Sequence, residues 1–248
     1  MELELSQMNE MPLIALVGML SLSSAVSAEE EFSYTAKVGA DMWWGSTKLN
    51  EARQDEDSNS PSVYFAFEHN APILPNARFR YSTADTTLLA FDKYDYTFYY
   101  TLLEHKLMNF DAGVTFTQYA NSHYKDPYSS KTTSFDELTW SFYGNAELNV
   151  PNTQLDIIGT MEFGDSNGIK STDLMAGVQY RISLADTKIA LRGGYRVIDL
   201  DSDKFFSSEL NRHSNTDKEP DPSNEPKPGP PKSFVMLDGW FAGAEVRF

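Results

Sequence analysis

The chain has 248 residues and a formal net charge of -16, with 20 Lys and Arg against 36 Asp and Glu. This acidity argues against nucleic acid as a partner. The absence of cysteine excludes disulfides and thiolate metal sites, and no apolar run reaches the length of about 18 residues that a membrane-spanning helix needs.

The first 28 residues have the pattern of a signal peptide. Residues 11–22 are an apolar core, and SSAVSA and then three glutamates follow it. Val26 and Ala28 fit a signal-peptidase site after Ala28, so we predict a signal peptide over 1–28 and export through the periplasm. The preceding MELELSQMNE has three Glu and no basic residue, which fits a translation start at Met8 or Met11.

Ten segments of the mature chain alternate apolar and polar side chains. They cover residues 32–44, 63–68, 78–82, 95–102, 110–117, 138–148, 155–163, 173–182, 188–197 and 240–248. In the first segment, Val38 and Met42 share the apolar face, and Lys37 and Asp41 share the polar one. Such period-2 alternation is typical of strands with one apolar and one polar face.

The connections between these segments differ at the two ends of the predicted sheet. Short turns lie at 70–76, 104–106, 149–153 and 183–186, and long polar loops lie near 46–60, 84–93, 119–135, 165–171 and 199–233, the last being the longest. An even number of strands with short turns on one side is typical of bacterial outer-membrane barrels, and lipid cannot satisfy an open sheet edge.

We therefore predict an all-β protein of one domain over 29–248. Its fold is a closed antiparallel transmembrane β-barrel of ten strands, with eight or twelve as alternatives, in the outer membrane of a Gram-negative bacterium. Phe248 would lie at the periplasmic rim, where the last strand pairs with the first to close the barrel. Trp44 and Tyr119 would belong to the aromatic girdle on the opposite side.

Two stretches and the terminal Phe resemble a known family. FEHNAPILPN (67–76) and YDYTFYYTLLEHKLMNFDAG (94–113) look like outer-membrane β-barrel proteins known mainly from gammaproteobacterial genomes. The residues that match the family's turn signature are Glu68, His69, Pro72, Pro75 and Asn76; Asn70 stands where the family usually has Pro. The resemblance implies the fold and the location but no activity, and it implies that Phe248 belongs to the signal read by the barrel assembly machinery.

The polar faces of the strands carry charges of both signs. The predicted lumen network is Lys37, Asp41, Glu68, Arg78, Arg80, Asp95, Asp111, Glu147, Asp156, Glu162, Asp173, Arg181, Lys188, Arg192, Arg196, Glu245 and Arg247. Side chains fill eight-stranded barrels, and open channels occur near sixteen strands. We therefore expect ion pairs to plug or narrow this lumen, with a structural or binding role or limited passage of small solutes.

The acids of this network concentrate on predicted strands four to seven, and the bases concentrate on strands eight and nine. Such a distribution creates a transverse field, which could orient a small zwitterion or pass ions along a narrow file of water.

An enzymatic alternative depends on the histidines. His123 and His213 fall in predicted extracellular loops, where they could meet Asp126, Asp199 or Asp201. This placement resembles outer-membrane proteases of the omptin type, although no motif of that family is present. We expect a protein that is not an enzyme and keep a rim-located hydrolase as the alternative.

No metal or cofactor site is expected. DLDSDKFFSSEL (199–210) puts Asp199, Asp201 and Asp203 at positions 1, 3 and 5 of an EF-hand loop. Lys204 and Leu210, however, stand where that loop needs Gly and Glu.

The following segment 218–232 has six Pro and is expected to be an extended spacer. The expected partners are outer-membrane lipid, lipopolysaccharide and the barrel assembly machinery, and the expected state is a monomer.

Overall fold

The computed structural model describes residues 32–49, 52–53, 58–126, 131–184, 187–202, 205 and 235–248. The predicted signal peptide and most of the 199–233 loop lie outside these residues. No helix in the described part is long and apolar enough to cross a membrane. The chain divides into two units, a small one of residues up to Tyr34 with His69–Leu74, and a large one of Thr35–Glu68 with Pro75–Phe248.

Asn70 connects the two segments of the small unit through hydrogen bonds to Ser33. Its backbone N–H donates to the carbonyl of Ser33 at 3.2 Å, and its side-chain Oδ1 accepts from the Ser33 N–H at 3.0 Å. A proline at position 70 could make neither hydrogen bond, since it has no backbone N–H and no side-chain amide. Asn70 therefore has a structural use at this position.

The described residues form twelve strands. They are β1 (Tyr34–Leu49), β2 (Ala52–Arg53), β3 (Ser58–His69), β4 (Asn76–Asp85), β5 (Leu89–His105), β6 (Met108–Lys125), β7 (Thr132–Ser134), β8 (Leu138–Asn149), β9 (Leu155–Ser166), β10 (Ile169–Leu184), β11 (Thr187–Ser202) and β12 (Val235–Arg247). The short strands β2 and β7 pair only at the ends of β1 and β6. The other ten form the wall of the large unit.

The wall closes on itself. Each of the ten strands is hydrogen-bonded to the next, and β12 pairs antiparallel with β1, from Lys37 opposite Arg247 to Leu49 opposite Val235. One step further, the N–H of Phe248 donates to Ala36 O at 2.9 Å and the N–H of Ala36 donates to Phe248 O at 3.3 Å. The prediction of a closed ten-stranded antiparallel barrel is confirmed.

The outer face of the wall is apolar. Its exposed large side chains include Val38, Met42, Trp44, Val63, Phe65, Tyr96, Phe98, Tyr100, Phe116, Trp140, Phe142, Ile157, Met161, Phe163, Leu174, Val178, Tyr180, Leu191 and Trp240. The residues between them point inward and are mostly polar. A closed sheet with apolar residues outside and polar ones inside is the architecture of outer-membrane β-barrels, and this chain has that architecture.

The predicted long loops are shorter than expected. Strands extend into 46–60 as far as Leu49 and into 119–135 as far as Lys125, and the predictions for 84–93 and 165–171 are wrong. Most of 84–93 is strand, since β4 ends at Asp85 and β5 begins at Leu89. The segment 165–171 contains only a two-residue turn, in which Asn167 and Gly168 have φ of 52° and 76°, as a type I′ hairpin requires. These polar residues belong to strands because the wall continues beyond the apolar band, where a strand can be polar on its outer face.

Tyr119 also lies elsewhere than predicted. Trp44 is exposed on the outer face, but Tyr119 is only 1% exposed and packs inside the barrel, edge to face with Phe91 at 5.9 Å. Tyr119 has the same parity along β6 as the inward Thr115 and Thr117. The period of the strand thus places Tyr119 inside the barrel, although tyrosines are common in the aromatic girdle on the outer face.

Met161, near the middle of β9, tests the assignment of the outer face to lipid. Its side chain is 44% exposed on that face. We predict that Met161→Arg lowers the free energy of unfolding by about 2–4 kcal/mol, the range for a basic residue facing lipid at the bilayer midplane. Urea unfolding from lipid vesicles measures this value, with Met161→Leu as the control. Equal stability of the Arg variant and the wild type would contradict the assignment.

Phe248 tests closure. Deleting it removes both backbone hydrogen bonds to Ala36 together with the ring, whereas Phe248→Ala removes the ring alone. We expect a lower yield of assembled barrel from both variants, and the larger loss from the deletion. Heat-modifiable migration of outer-membrane fractions on gels measures the yield. Wild-type yields from both variants would show that neither the ring nor the last pair matters.

Candidate functional site

Three layers fill the described lumen of the large unit. We call the end where β1 begins and β12 ends the terminal end, and the opposite end the loop end. An ion-pair layer crosses the middle, an apolar layer fills the loop end, and a small cavity, the vestibule, lies toward the terminal end.

The ion-pair layer is built around three carboxylates, the tricarboxylate cluster of Asp95, Glu162 and Asp173. Lys93 Nζ lies 2.9 to 3.0 Å from one oxygen of each. The guanidinium of Arg80 also reaches all three, at 3.0 to 3.1 Å. All these side chains are almost fully buried.

Arg196 completes the charge balance of this layer. Its Nε and Nη2 donate to the two oxygens of Asp173 at 2.9 and 2.7 Å, a bidentate geometry that favours arginine. Three cations then face three carboxylates. Since they come from β4, β5, β9, β10 and β11, the layer ties opposite walls of the barrel together.

The tricarboxylate cluster has the composition of a metal site, and oxygens of its members lie within 4.8 Å of one another. The central position between them, however, holds the ammonium group of Lys93. With Arg80 and Arg196 as further partners, the three negative charges are already neutralised. The donor set therefore fits an internal ion-pair network better than a resident metal ion.

Lys93 is the central residue that the sequence analysis missed. It stood at the end of a predicted polar loop, 84–93, and was left out of the lumen network. The strand period could have found it. Residues two apart share one face of a strand, so Lys93 lies on the same inward face as Asp95 and Thr97. Both of those residues and Lys93 are at most 2% exposed.

The apolar layer closes the loop end. Its buried members are Trp43, Leu49, Leu89, Phe91, Tyr119, Tyr124, Phe135, Ile169, Ile198, Leu200, Phe205, Val235 and Leu237. Rings pack against each other at its centre, with Phe205 4.9 Å from Tyr124 and 5.2 Å from Phe135 between centroids. The two layers touch where the Arg196 guanidinium lies over the Trp43 ring at 5.0 Å.

A hydrogen-bonded connection holds Phe135 in this layer. The Ser122 hydroxyl accepts from the Phe135 N–H at 3.1 Å and donates to Asp136 at 2.6 Å. The Ser122 N–H also donates to Asp136, at 2.7 Å. The hydroxyl first and the N–H second lower the pKa of the Asp136 carboxyl, so the fixed segment after β7 carries a charged acceptor at neutral pH.

The vestibule has a volume of about 60 Å³. It is lined by Lys37, Tyr64, Ala66, Glu68, Arg78, Tyr99, Asp111, Tyr143, Asn145, Glu147, Ile158, Thr160, Met175, Gln179, Arg192, Glu245 and Arg247. One water needs about 10–15 Å³ of such space, so the vestibule has room for a few waters or a molecule of a few heavy atoms.

Partly exposed ion pairs surround the mouth of the vestibule. Lys37 Nζ lies 2.5 Å from Glu68. Arg247 reaches Glu147 at 3.0 Å and Glu245 at 2.5 Å. Each of these cations therefore has a carboxylate partner.

Deeper in the vestibule, Arg192 and Tyr64 share a network. Arg192 Nε lies 3.1 Å from Asp41 and its Nη1 lies 3.8 Å from Glu245. The Tyr64 hydroxyl accepts from Arg192 and donates to Glu245 at 2.5 Å. Tyr64 lies flat against the wall because Gly39 has no Cβ, and a Cβ there would overlap the tyrosine ring.

Arg78 and Asp111 complete the lining without an ion pair among the described residues. Arg78 donates only a long hydrogen bond of 3.4 Å to the Tyr143 hydroxyl and lies 4.6 Å from the centre of the Tyr64 ring. Asp111 accepts from Thr101 at 2.7 Å and from Asn145 at 3.0 Å. Among the described residues, Arg78 is thus the one arginine of the vestibule with no carboxylate oxygen within 4 Å, since Arg192 and Arg247 both form ion pairs.

The remaining predicted lumen residues lie near the terminal end. Arg181 Nε is 2.9 Å from the buried Asp156, which also accepts from Gln179 at 2.9 Å. Lys188 differs from the prediction, because its side chain is exposed near the beginning of β11. It does not line the vestibule.

The histidines form no catalytic arrangement in the part of the chain that the structure describes. His123 lies on β6 opposite Ala90, and its side chain is exposed and makes no hydrogen bond to a described residue. His213, Asp203, Lys204 and Leu210 lie outside the described residues.

No protein-family model and no curated protein matches the chain. Solved structures that resemble it include two outer-membrane proteins. The outer membrane protease OmpT from Escherichia coli is 9% identical with a TM-score of 0.42, covering 89% of this chain and 99% of that one. OmpTdeltaL8, a loop L8 deletion mutant of OmpT, an outer membrane protein of Vibrio cholerae, is 8% identical with a TM-score of 0.18, covering 88% and 99%. Likeness at this level supports no inference about activity, and the fold rests on the strand pairing itself.

The ion-pair layer gives a test of its own. We predict that Lys93→Met lowers the free energy of unfolding by about 3–5 kcal/mol, because it leaves the tricarboxylate cluster with too few cations in a buried site. Urea unfolding measures the change.

The matched control is Lys188→Met, the same substitution at an exposed position, which should change stability by no more than about 0.5 kcal/mol. Similar effects of both variants would contradict a central role for Lys93.

Proposed function

We propose that the protein is a non-conducting outer-membrane barrel with a structural or binding role, whose vestibule faces the periplasm. The observation that carries this proposal is the pair of layers in series across the lumen. A permeating ion would first have to separate the buried ion pairs around Lys93 and would then have to cross the apolar layer beyond them. Each step is unfavourable for a charge.

The orientation follows from the two ends of the wall. The terminal end carries the short connections at 106–107 and 150–154, as the periplasmic end of such barrels does. The loop end, with the strands that extend beyond the apolar band, then faces outward among lipopolysaccharide. The partners in this proposal are outer-membrane lipid and the barrel assembly machinery, and the barrel acts as a monomer.

The series arrangement predicts how conductance responds to mutation. In planar bilayers the wild type should give no channels. Arg196→Ala alone should also give none, because the apolar layer still blocks the lumen. Arg196→Ala combined with Trp43→Ala opens both layers where they touch and should give measurable single-channel currents.

The matched control is Arg196→Ala with Trp44→Ala. Trp44 neighbours Trp43 but is 41% exposed on the outer face, whereas Trp43 is 2% exposed inside. This control should remain silent. Channels in the wild type would refute the proposal, and equal currents from both double variants would show that the tryptophan inside the barrel is not part of the block.

The rim hydrolase needs a second group beside His123, and His213 lies outside the described residues. No contact of the described residues favours this alternative. It stays a prediction of the sequence.

A further inference from the structure

We propose that the vestibule binds a small carboxylate through the guanidinium of Arg78. This inference rests on the proposed binding role of the barrel and names the chemical class of its ligand. It starts from the charge pairing in the vestibule. Lys37, Arg192 and Arg247 each lie within 4 Å of a carboxylate, at 2.5 Å, 3.1 Å and 2.5 Å at the closest. Arg78 alone among the cations that line this cavity has no such partner in the described chain.

The surroundings of Arg78 fit a guanidinium that awaits an oxyanion. Its Nε is buried and makes no hydrogen bond to a described residue. The Tyr64 ring covers one face of the guanidinium at 4.6 Å, which restricts its rotation. A planar guanidinium offers a fork of parallel N–H donors that matches the two oxygens of a carboxylate.

Hydroxyl groups supply further donors. The Tyr143 hydroxyl accepts from Arg78 at 3.4 Å, so its own proton is free to donate to an anion in the cavity. Tyr64 already donates to Glu245 and serves instead as the wall behind the guanidinium. The site therefore combines one fixed cation with one neutral donor.

Size and charge limit the ligand. The volume of about 60 Å³ admits a molecule of a few heavy atoms, such as acetate. The four acids that line the vestibule, Glu68, Asp111, Glu147 and Glu245, oppose a second negative charge. A monoanion is thus favoured over a dianion such as phosphate.

The test uses the full mature protein in phosphatidylcholine nanodiscs, which add no anionic headgroup. Sodium acetate is titrated by calorimetry against a constant sodium chloride background. We expect saturable binding to the wild type, and weaker binding of phosphate and of the longer hexanoate. Absence of saturable acetate binding, or tighter binding of hexanoate than of acetate, would overturn the proposal.

Three variants assign the site. Arg78→Gln should weaken acetate binding by about tenfold or more, since it removes charge-assisted hydrogen bonds. Arg78→Lys keeps the charge but not the fork and should lie between Arg78→Gln and the wild type. Lys188→Gln removes a positive charge from an exposed position outside the vestibule and should leave the affinity unchanged. Equal affinities of Arg78→Gln and the wild type would overturn the proposal.

A measurement on the wild type covers the case in which Arg78→Gln fails to fold. With ¹⁵N-labelled arginine, acetate should shift one Nε resonance saturably, with the midpoint found by calorimetry, and that resonance should be missing in Arg78→Lys. No shifted arginine resonance would overturn the proposal. Conductance of the same preparations separates the two proposals. If the barrel does not conduct and does not bind acetate, only the ligand proposal is overturned. If the wild type conducts, the proposal of a non-conducting barrel is overturned and the acetate measurement still stands.

Discussion

The packing of Lys93 against three buried carboxylates is the constraint on which the lumen depends. Alone, each carboxylate would be too costly to bury, and the ammonium group likewise. Together with Arg80 and Arg196 they form a neutral layer that joins five strands. The layer separates two interiors of different chemistry, a packed apolar one toward the loop end and a cavity lined mainly by polar side chains toward the terminal end.

The outer wall was accessible from sequence because it obeys one rule. Every membrane-facing residue meets the same solvent, so period-2 alternation identified ten strands and the inward side of Asp95, Glu162 and Arg196. The interior obeys no such rule. Which cation meets which carboxylate depends on strand tilt and on contacts across the lumen, such as that of Arg80 with Glu162, 82 positions apart, and a pattern within one segment contains neither.

The pairing of the arginines in the vestibule could not be predicted from the sequence either. The sequence placed Arg78 on an inward face but gave no reason to separate it from Arg192 or Arg247. The separation arises from neighbours on other strands. Asp41 and Glu245 form ion pairs with Arg192 and Arg247, whereas the close contacts of Arg78 among the described residues are with Tyr143 and Tyr64. The difference in pairing among these arginines is thus a property of the closed barrel.

The extended strands have a consequence for how substitutions act along one strand. On β6 the outward residue is apolar at Phe116 but polar at His123 and Lys125, while the inward residue changes from Thr115 to Tyr124. The apolar face of this single strand therefore changes sides. It points outward where the strand faces lipid, and it points into the barrel beyond the lipid. The same exchange of a polar for an apolar side chain should favour insertion at one end and invite aggregation at the other.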